Sequence, residues 1–155
     1  MSKVEESIEV EVPVTTAYNQ WTQFEEFPRF MEHVDEVRQL DDRNLHWRVT
    51  VAGKTDEFDA EITEQIPDTR IAWHSTSGRT NAGVVDFHPL SDERCQISVA
   101  MDAEPDGVME KVADAAGVAR RQVRGDLERF KELIEARGSA SGAWRGDVDR
   151  DSTSA

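Results

Sequence analysis

Between residues 34 and 101 the chain alternates apolar and polar side chains in one short run after another, and this period of two most restricts its fold. In "LHWRVTV", Leu45, Trp47, Val49 and Val51 share one side, and His46, Arg48 and Thr50 share the other. "EFDAEIT" groups Phe58, Ala60 and Ile62, and "RIAWHS" groups Ile71 and Trp73 with Ser75 in phase. "GVVDFHP" groups Gly83, Val85 and Phe87, and "CQISVAM" groups Cys95, Ile97, Val99 and Met101. Successive side chains of a strand point to opposite faces, so each run reads as a strand with one dry and one wet side. The links "DDRN", "AGKT", "IPDT", "SGRTN" and "LSDE" are short and rich in turn formers, which implies antiparallel neighbours. "SIEVEVPV" adds an earlier strand, with Ile8, Val10 and Val12 on one face and Pro13 at its end.

A dry sheet face needs a cover. Residues 106–137 supply it: Met109, Val112, Ala116, Ala119, Val123, Leu127, Phe130 and Ile134 recur every three or four positions. Asp106 stands where a helix cap belongs and Gly138 where a helix stops. At ~1.5 Å per residue this helix spans ~45 Å, enough to cross a sheet. After the first strand, "TTAYNQW" predicts a short helix to about Trp21 capped by Thr15 or Thr16. "FEEFPRFM", interrupted by Pro28, predicts a second short helix or turn. The expected fold is α+β: a curved antiparallel sheet of about seven strands wrapped on a long C-terminal helix, with two short helices after strand one. It forms one domain over residues 1–138, and the Ser-, Gly- and Asp-rich segment 139–155 is expected to be a disordered tail.

A bent sheet and a straight helix cannot touch along their whole length. The helix carries bulky Val123, Leu127, Phe130 and Ile134 in its C-terminal half but Ala113, Ala115, Ala116, Gly117 and Ala119 before them. Two outcomes stay open: an apolar cavity under the small residues, or a close helix–sheet contact that the small residues permit. The short helices would cover that region with rings spaced by three, Tyr18, Trp21, Phe24, Phe27 and Phe30. Trp21 and Phe24 are expected in the core, and Phe27, Phe30 and Met31 at the rim or as a lid.

Charge and motifs narrow the chemistry. The net charge is −14, and residues 1–106 hold 23 Asp and Glu against 9 Lys and Arg. Such a surface repels phosphate backbones and anionic lipid heads, so neither nucleic acid nor membrane insertion is expected. No apolar run approaches the ~20 residues of a membrane span, and the start lacks the pattern of an export signal. A cytoplasmic protein is expected. The single Cys95 excludes an internal disulfide and a thiolate cage. His33, His46, His74 and His88 lack metal-ligand spacing, and strand parity sends the last three to the wet face, so no metal is expected. No nucleophile elbow, phosphate loop or dinucleotide fingerprint is present, and no cofactor is expected. Arg120, near Arg121 and Arg124, has two readings: a cleft guanidinium that holds a carboxylate or enolate, or a surface charge paired with Glu128.

The stretches "SIEVEVPVTTAYNQWTQFEEFPRFMEHVDEV", "LHWRVTVAGKTDEFDAEITEQIPDTRIAWHS" and "GRTNAGVVDFHPL", with the closing helix, resemble the START-like or SRPBCC superfamily, a helix-grip fold. The match is nearest its polyketide cyclase/dehydrase-like branch, which also includes coenzyme Q-binding relatives. The resemblance covers residues 3–137. It implies a deep apolar pocket between the long helix, the sheet and the short helices, and it carries over no catalytic residue. The residues expected to line that pocket are Phe27, Phe30, Met31, Trp47, Val49, Phe58, Trp73, Ser75, Val85, Phe87, Val99, Met109, Val112, Ala116 and Arg120. The expected function is binding of a small lipophilic molecule that is polyketide-, lipid- or isoprenoid-like. The alternatives are a polyketide cyclase or dehydratase acting in the same cavity, and a ligand-free interaction module. Either a monomer or a homodimer is compatible with the pattern.

Overall fold

In a computed structural model of the protein, residues 2–51, 53–77, 81–103 and 115–143 are described. The chain runs β1 (Ser2–Val10), α1 (Val14–Trp21), a 3₁₀ helix (Phe24–Arg29), β2 (Val34–Gln39), β3 (Asn44–Val51), β4 (Lys54–Ile66), β5 (Arg70–Ser77), β6 (Asn81–Ser91), β7 (Arg94–Ala103) and α2 (Ala115–Arg137). The seven strands form one antiparallel sheet in the order β1-β7-β6-β5-β4-β3-β2, curled into a half-barrel around α2. The helix-grip expectation holds.

Register explains the curl. β4 pairs β3 along Lys54 to Glu61 but pairs β5 along Asp59 to Ile66, so its two neighbours are offset along it. Irregularities at Asp59/Ala60 and Ile62/Glu64 break this second ladder, and such bulges bend and twist a sheet. The β4–β5 turn is closed by Asp68 at φ 60, a left-handed conformation that Asp tolerates.

The alternation places the core as expected. Val37, Leu45, Phe58, Ala60, Ile62, Ile71, Val85, Phe87, Cys95, Ile97 and Val99 are all buried on the concave face. On α2, Leu127, Phe130 and Ile134 are buried against them. Burial pushes the Cys95 thiol up to about 11. His74 and His88 are exposed, and Asp86 points outward to Arg70 at 2.7 Å.

The sheet's two outer strands are each covered. The Lys131 ammonium donates to the Glu9 carbonyl (3.0 Å), and the Glu11 amide donates to Glu135 (2.7 Å). These two contacts hold α2 against the C-terminal end of β1, whose edge would otherwise offer unpaired backbone groups there. At the opposite edge, the Gln39 amide of β2 donates to Glu25 of the 3₁₀ helix (3.2 Å).

The element ends compare with expectation as follows in chain order. Helix α1 begins at Val14 with Pro13 in the cap position and no side-chain cap, so neither threonine caps it. Thr15 instead donates to Asp68 (3.0 Å), which ties α1 to the β4–β5 turn. The part of the long helix expected at 106–114, with its Asp106 cap, lies outside the described residues. Its end is as expected: Gly138 takes φ 70 and its amide donates to Ile134 (2.8 Å). Past that stop, the Ser141 amide donates to the buried Gln20 side chain (2.8 Å) and its hydroxyl donates to Glu26. The remainder of the expected tail, from 144, lies outside the described residues.

Candidate functional site

The concave face divides into two regions. At the first, α1, the 3₁₀ helix and the C-terminal half of α2 converge on one aromatic cluster. Trp21 meets Phe130 at 4.9 Å and Phe30 meets Phe130 at 5.1 Å between ring centroids, both tilted or edge-on. Tyr18 stands edge-on to Phe87 at 5.3 Å. These are preferred aromatic geometries, and the region is closed.

Phe27 and Phe30 belong to this core, with 3% and 2% of their surface accessible. Their expected place at the rim is therefore corrected. A 3₁₀ helix has three residues per turn, so Trp21, Phe24, Phe27 and Phe30 recur along one side of this segment, and that side faces inward. Met31, one position further, is only partly buried.

A polar latch holds the segment against α2. Arg129 donates through Nε to the Phe30 carbonyl (2.8 Å), and the Glu32 amide donates to Asp126 Oδ1 (3.2 Å). Arg129 also donates to Asp126. Burial raises the Asp126 pKa, while the Glu32 amide and the Arg129 guanidinium favour its charged form and oppose that rise. Neither residue belongs to the expected site. The available signal was their position one residue before Leu127 and Phe130, at the margin of the buried stripe.

The second region lies further along β3, β4 and β5. Trp47 and Phe58 stack at 5.8 Å with planes 7° apart, and Phe27 reaches Trp47 at 5.5 Å. This pile of rings is the boundary between the two regions. Beyond it, side chains that point inward keep contact with solvent: Trp47, Val49, Trp73, Ser75, Met101 and Val123 are all partly buried. The indole N–H of Trp47 is buried and has no hydrogen-bond partner among the described residues. An unmet buried donor costs about 1–3 kcal/mol.

The expected lining residues sort accordingly. Met31, Trp47, Val49, Trp73 and Ser75 are each partly buried, with Phe58 and Phe27 buried beside Trp47. Phe30, Val85 and Phe87 are shut into the closed core, and Val99 is buried on β7. Met109 and Val112 lie outside the described residues, and Ala116 falls in the first turn of α2, where side chains are not described. Arg120 is exposed, so of its two readings the structure offers no buried guanidinium at that position. Arg124, also exposed, pairs with Glu128 (3.2 Å) and with Glu6 (3.5 Å). Glu6 has the inward parity of Val4, Ile8 and Val10 and was missed, although the alternation in "VEESIEV" already assigns it that side.

On the wet face, both nitrogens of His46 meet carboxylates: Nδ1 meets Asp59 at 2.6 Å and Nε2 meets Glu57 at 2.9 Å. These acceptors, Glu57 first, raise the imidazole's pKa, and His46 in return lowers theirs. The three groups do not converge on one point, and among the described residues no cluster of His, Cys, Asp or Glu is arranged to hold a metal. No described helix is long and apolar enough to cross a membrane.

Comparison with known proteins points one way. The family model described as polyketide cyclase/dehydrase and lipid transport matches residues 10–132. An uncharacterized 17.2 kDa protein of Streptomyces lincolnensis is 58% identical over 149 residues, covering 96% of this chain and 99% of that protein. A START superfamily protein from Mycobacterium smegmatis superposes with a TM-score of 0.72 at 18% identity, over 86% of this chain and 99% of that one. The Zhui aromatase/cyclase from a Streptomyces species superposes with a TM-score of 0.69 at 18% identity, over 92% and 98%.

Proposed function

The chain belongs to the polyketide cyclase/dehydrase and lipid transport family, and from that premise we propose that it binds one small lipophilic molecule, polyketide-, lipid- or isoprenoid-like. The molecule lies on the concave face between α2 and the half-open part of β3, β4 and β5. One observation carries this reading: side chains that point inward, Trp47 and Trp73 above all, remain partly accessible there, while Leu45, Ile62, Val85, Phe87 and Ile97 on the same face are shut in. Apolar area left accessible on a concave face is what a lipophile would cover. Covering roughly 200 Å² of it, about one large aromatic side chain, supplies ~5 kcal/mol at ~25 cal/mol per Å². Orientation would come from few polar groups, the Ser75 hydroxyl and the Trp47 N–H, the second after a small shift of the rings that bury it.

The inward Ser75 also favours a second reading, turnover of a polyketide-type substrate in the same cavity. There a shaped wall would fold the chain and hold its reacting atoms together.

Native mass spectrometry of freshly purified protein tests the binding reading. A discrete added mass that disappears on denaturation, together with saturable uptake of a neutral apolar fluorophore, is the expected result. Protein of bare mass that takes up no such fluorophore would overturn it. Recovery of a chemically altered molecule after incubation would favour turnover.

A further inference from the structure

The rows of side chains that cross the concave face expose a gap that another residue fills. Cross-strand register aligns Val4 of β1, Met101 of β7, Gly83 of β6, Trp73 of β5 and Ile62 of β4. Every member of this row is large and apolar except Gly83, which offers only backbone. The Trp73 indole occupies the place left over. A Cβ built on Gly83 would stand 2.7 Å from Cζ2 and 2.8 Å from Cη2 of Trp73, with the Ala100 carbonyl oxygen at 3.0 Å. Carbon atoms in contact stay about 3.5–4.0 Å apart, so the ring covers Gly83 at a distance no other residue allows. This is a need for space, since Gly83 is not among the glycines with positive φ.

We propose that Gly83 and Trp73 together set the depth of the cavity, and so the size of the apolar molecule it accepts. This rests on the binding reading above. With glycine at 83 the indole leans across β6 and forms part of the floor. Any side chain at 83 must move the ring. The Ala100 carbonyl crowds the added carbon from another side, so the carbon cannot give way and the ring must, turning up into the space where a ligand would lie. Gly83 never touches the ligand in this account; it is a positioning residue that acts through Trp73. The ligand class follows from the row itself. Its members offer hydrocarbon and an aromatic face and no charge, so what it measures is the bulk of a neutral apolar group.

The test titrates wild type, Gly83→Ala, Gly83→Val and the double variant Gly83→Ala/Trp73→Leu with two neutral fluorophores, 1-naphthol (two rings) and 1-pyrenemethanol (four rings). Wild type is expected to bind both. Gly83→Val should weaken 1-pyrenemethanol by about tenfold or more, the scale of overpacking a filled site, and change 1-naphthol by less than about threefold. Gly83→Ala should do the same in smaller measure, and the double variant should recover the larger probe. If Gly83→Val does not fold, as its melting curve will tell, the Gly83→Ala pair decides alone. Equal binding of both probes by wild type and Gly83→Ala would overturn the gauge and leave the binding reading intact. Equal weakening of both probes would also overturn it, since that is general damage. Failure of wild type to bind either probe would overturn both, and only that outcome reaches the binding reading.

Discussion

The two regions of the concave face are built from the same kinds of residue and differ in closure. Where α1, the 3₁₀ helix and the end of α2 meet, Phe130, Ile134, Tyr18 and Val85 have no accessible surface. Around Trp47, Val49, Trp73 and Met101, residues with the same inward parity keep part of theirs. Strand alternation specifies which way a side chain points. It does not specify whether something meets it there. That depends on what the opposing helix carries, and α2 carries Leu127, Phe130 and Ile134 only in its second half. One sheet face is therefore closed core at one end and partly open at the other.

The sharpest way to break this contrast is to cut one residue from each region. Phe130→Ala removes a ring in contact with Trp21 and Phe30 and is expected to cost about 3–5 kcal/mol. Met101→Ala, at the half-open end, is expected to cost less than about 2 kcal/mol. Urea midpoints for the two variants measure the difference, and equal losses would mean that the two ends are equally packed. Next in size is the latch. Arg129→Ala leaves the Phe30 carbonyl without its donor and Asp126 without its cation, and about 1–3 kcal/mol should be lost. Amide exchange of residues 30–32 should accelerate in that variant while the β6–β7 ladder stays protected.

A smaller effect is expected on the wet face. Glu57 and Asp59 hold His46 above its ordinary 6.5, with Arg38 beside it on β2 and Arg48 near Glu57 moderating the charge. A raised imidazole contributes stability that is complete below 6.5 and is lost as pH rises through the folded-state value. The two carboxylates, held below their ordinary 4.5 and 3.8, contribute above those values and lose that contribution in acid. The stability gap between wild type and His46→Gln should thus narrow as pH rises above 6.5. An unchanged gap would show that the cluster is not coupled to folding. Smallest is Trp47→Phe, which deletes the buried donor without a partner and keeps the stacked ring. Its stability should stay within about 1 kcal/mol of wild type. A loss of several times that would reveal a partner for the indole.

Much of the architecture was legible because period-two patterning and short turns determine strand identity, facing and neighbours locally. Leu45, Ile62, Val85 and Ile97 needed nothing more. The second short helix was expected, but Phe27 and Phe30 were placed at the rim although their spacing of three already described a 3₁₀ helix with one buried side. The latch could not be read in advance: Asp126 and Arg129 acquire their roles only when α2 crosses the Phe30–Glu32 backbone, some hundred residues earlier in the chain. Ser141 is similar, since its partners Gln20 and Glu26 lie on elements that its own neighbourhood does not announce. For the candidate site, parity found Trp47, Trp73 and Ser75, and the sequence offered no measure of how far each stays open.

The central claim is that an apolar molecule enters beside Trp47 and Trp73 and not the cluster around Trp21. The indole N–H signals of ¹⁵N-labelled protein, assigned by Trp→Phe variants and followed during titration with 1-naphthol, test it most directly. The account predicts that the Trp47 and Trp73 signals move together and saturate while Trp21 stays in place. Movement of Trp21 with the other two silent, or no saturable movement of any of them, would contradict it.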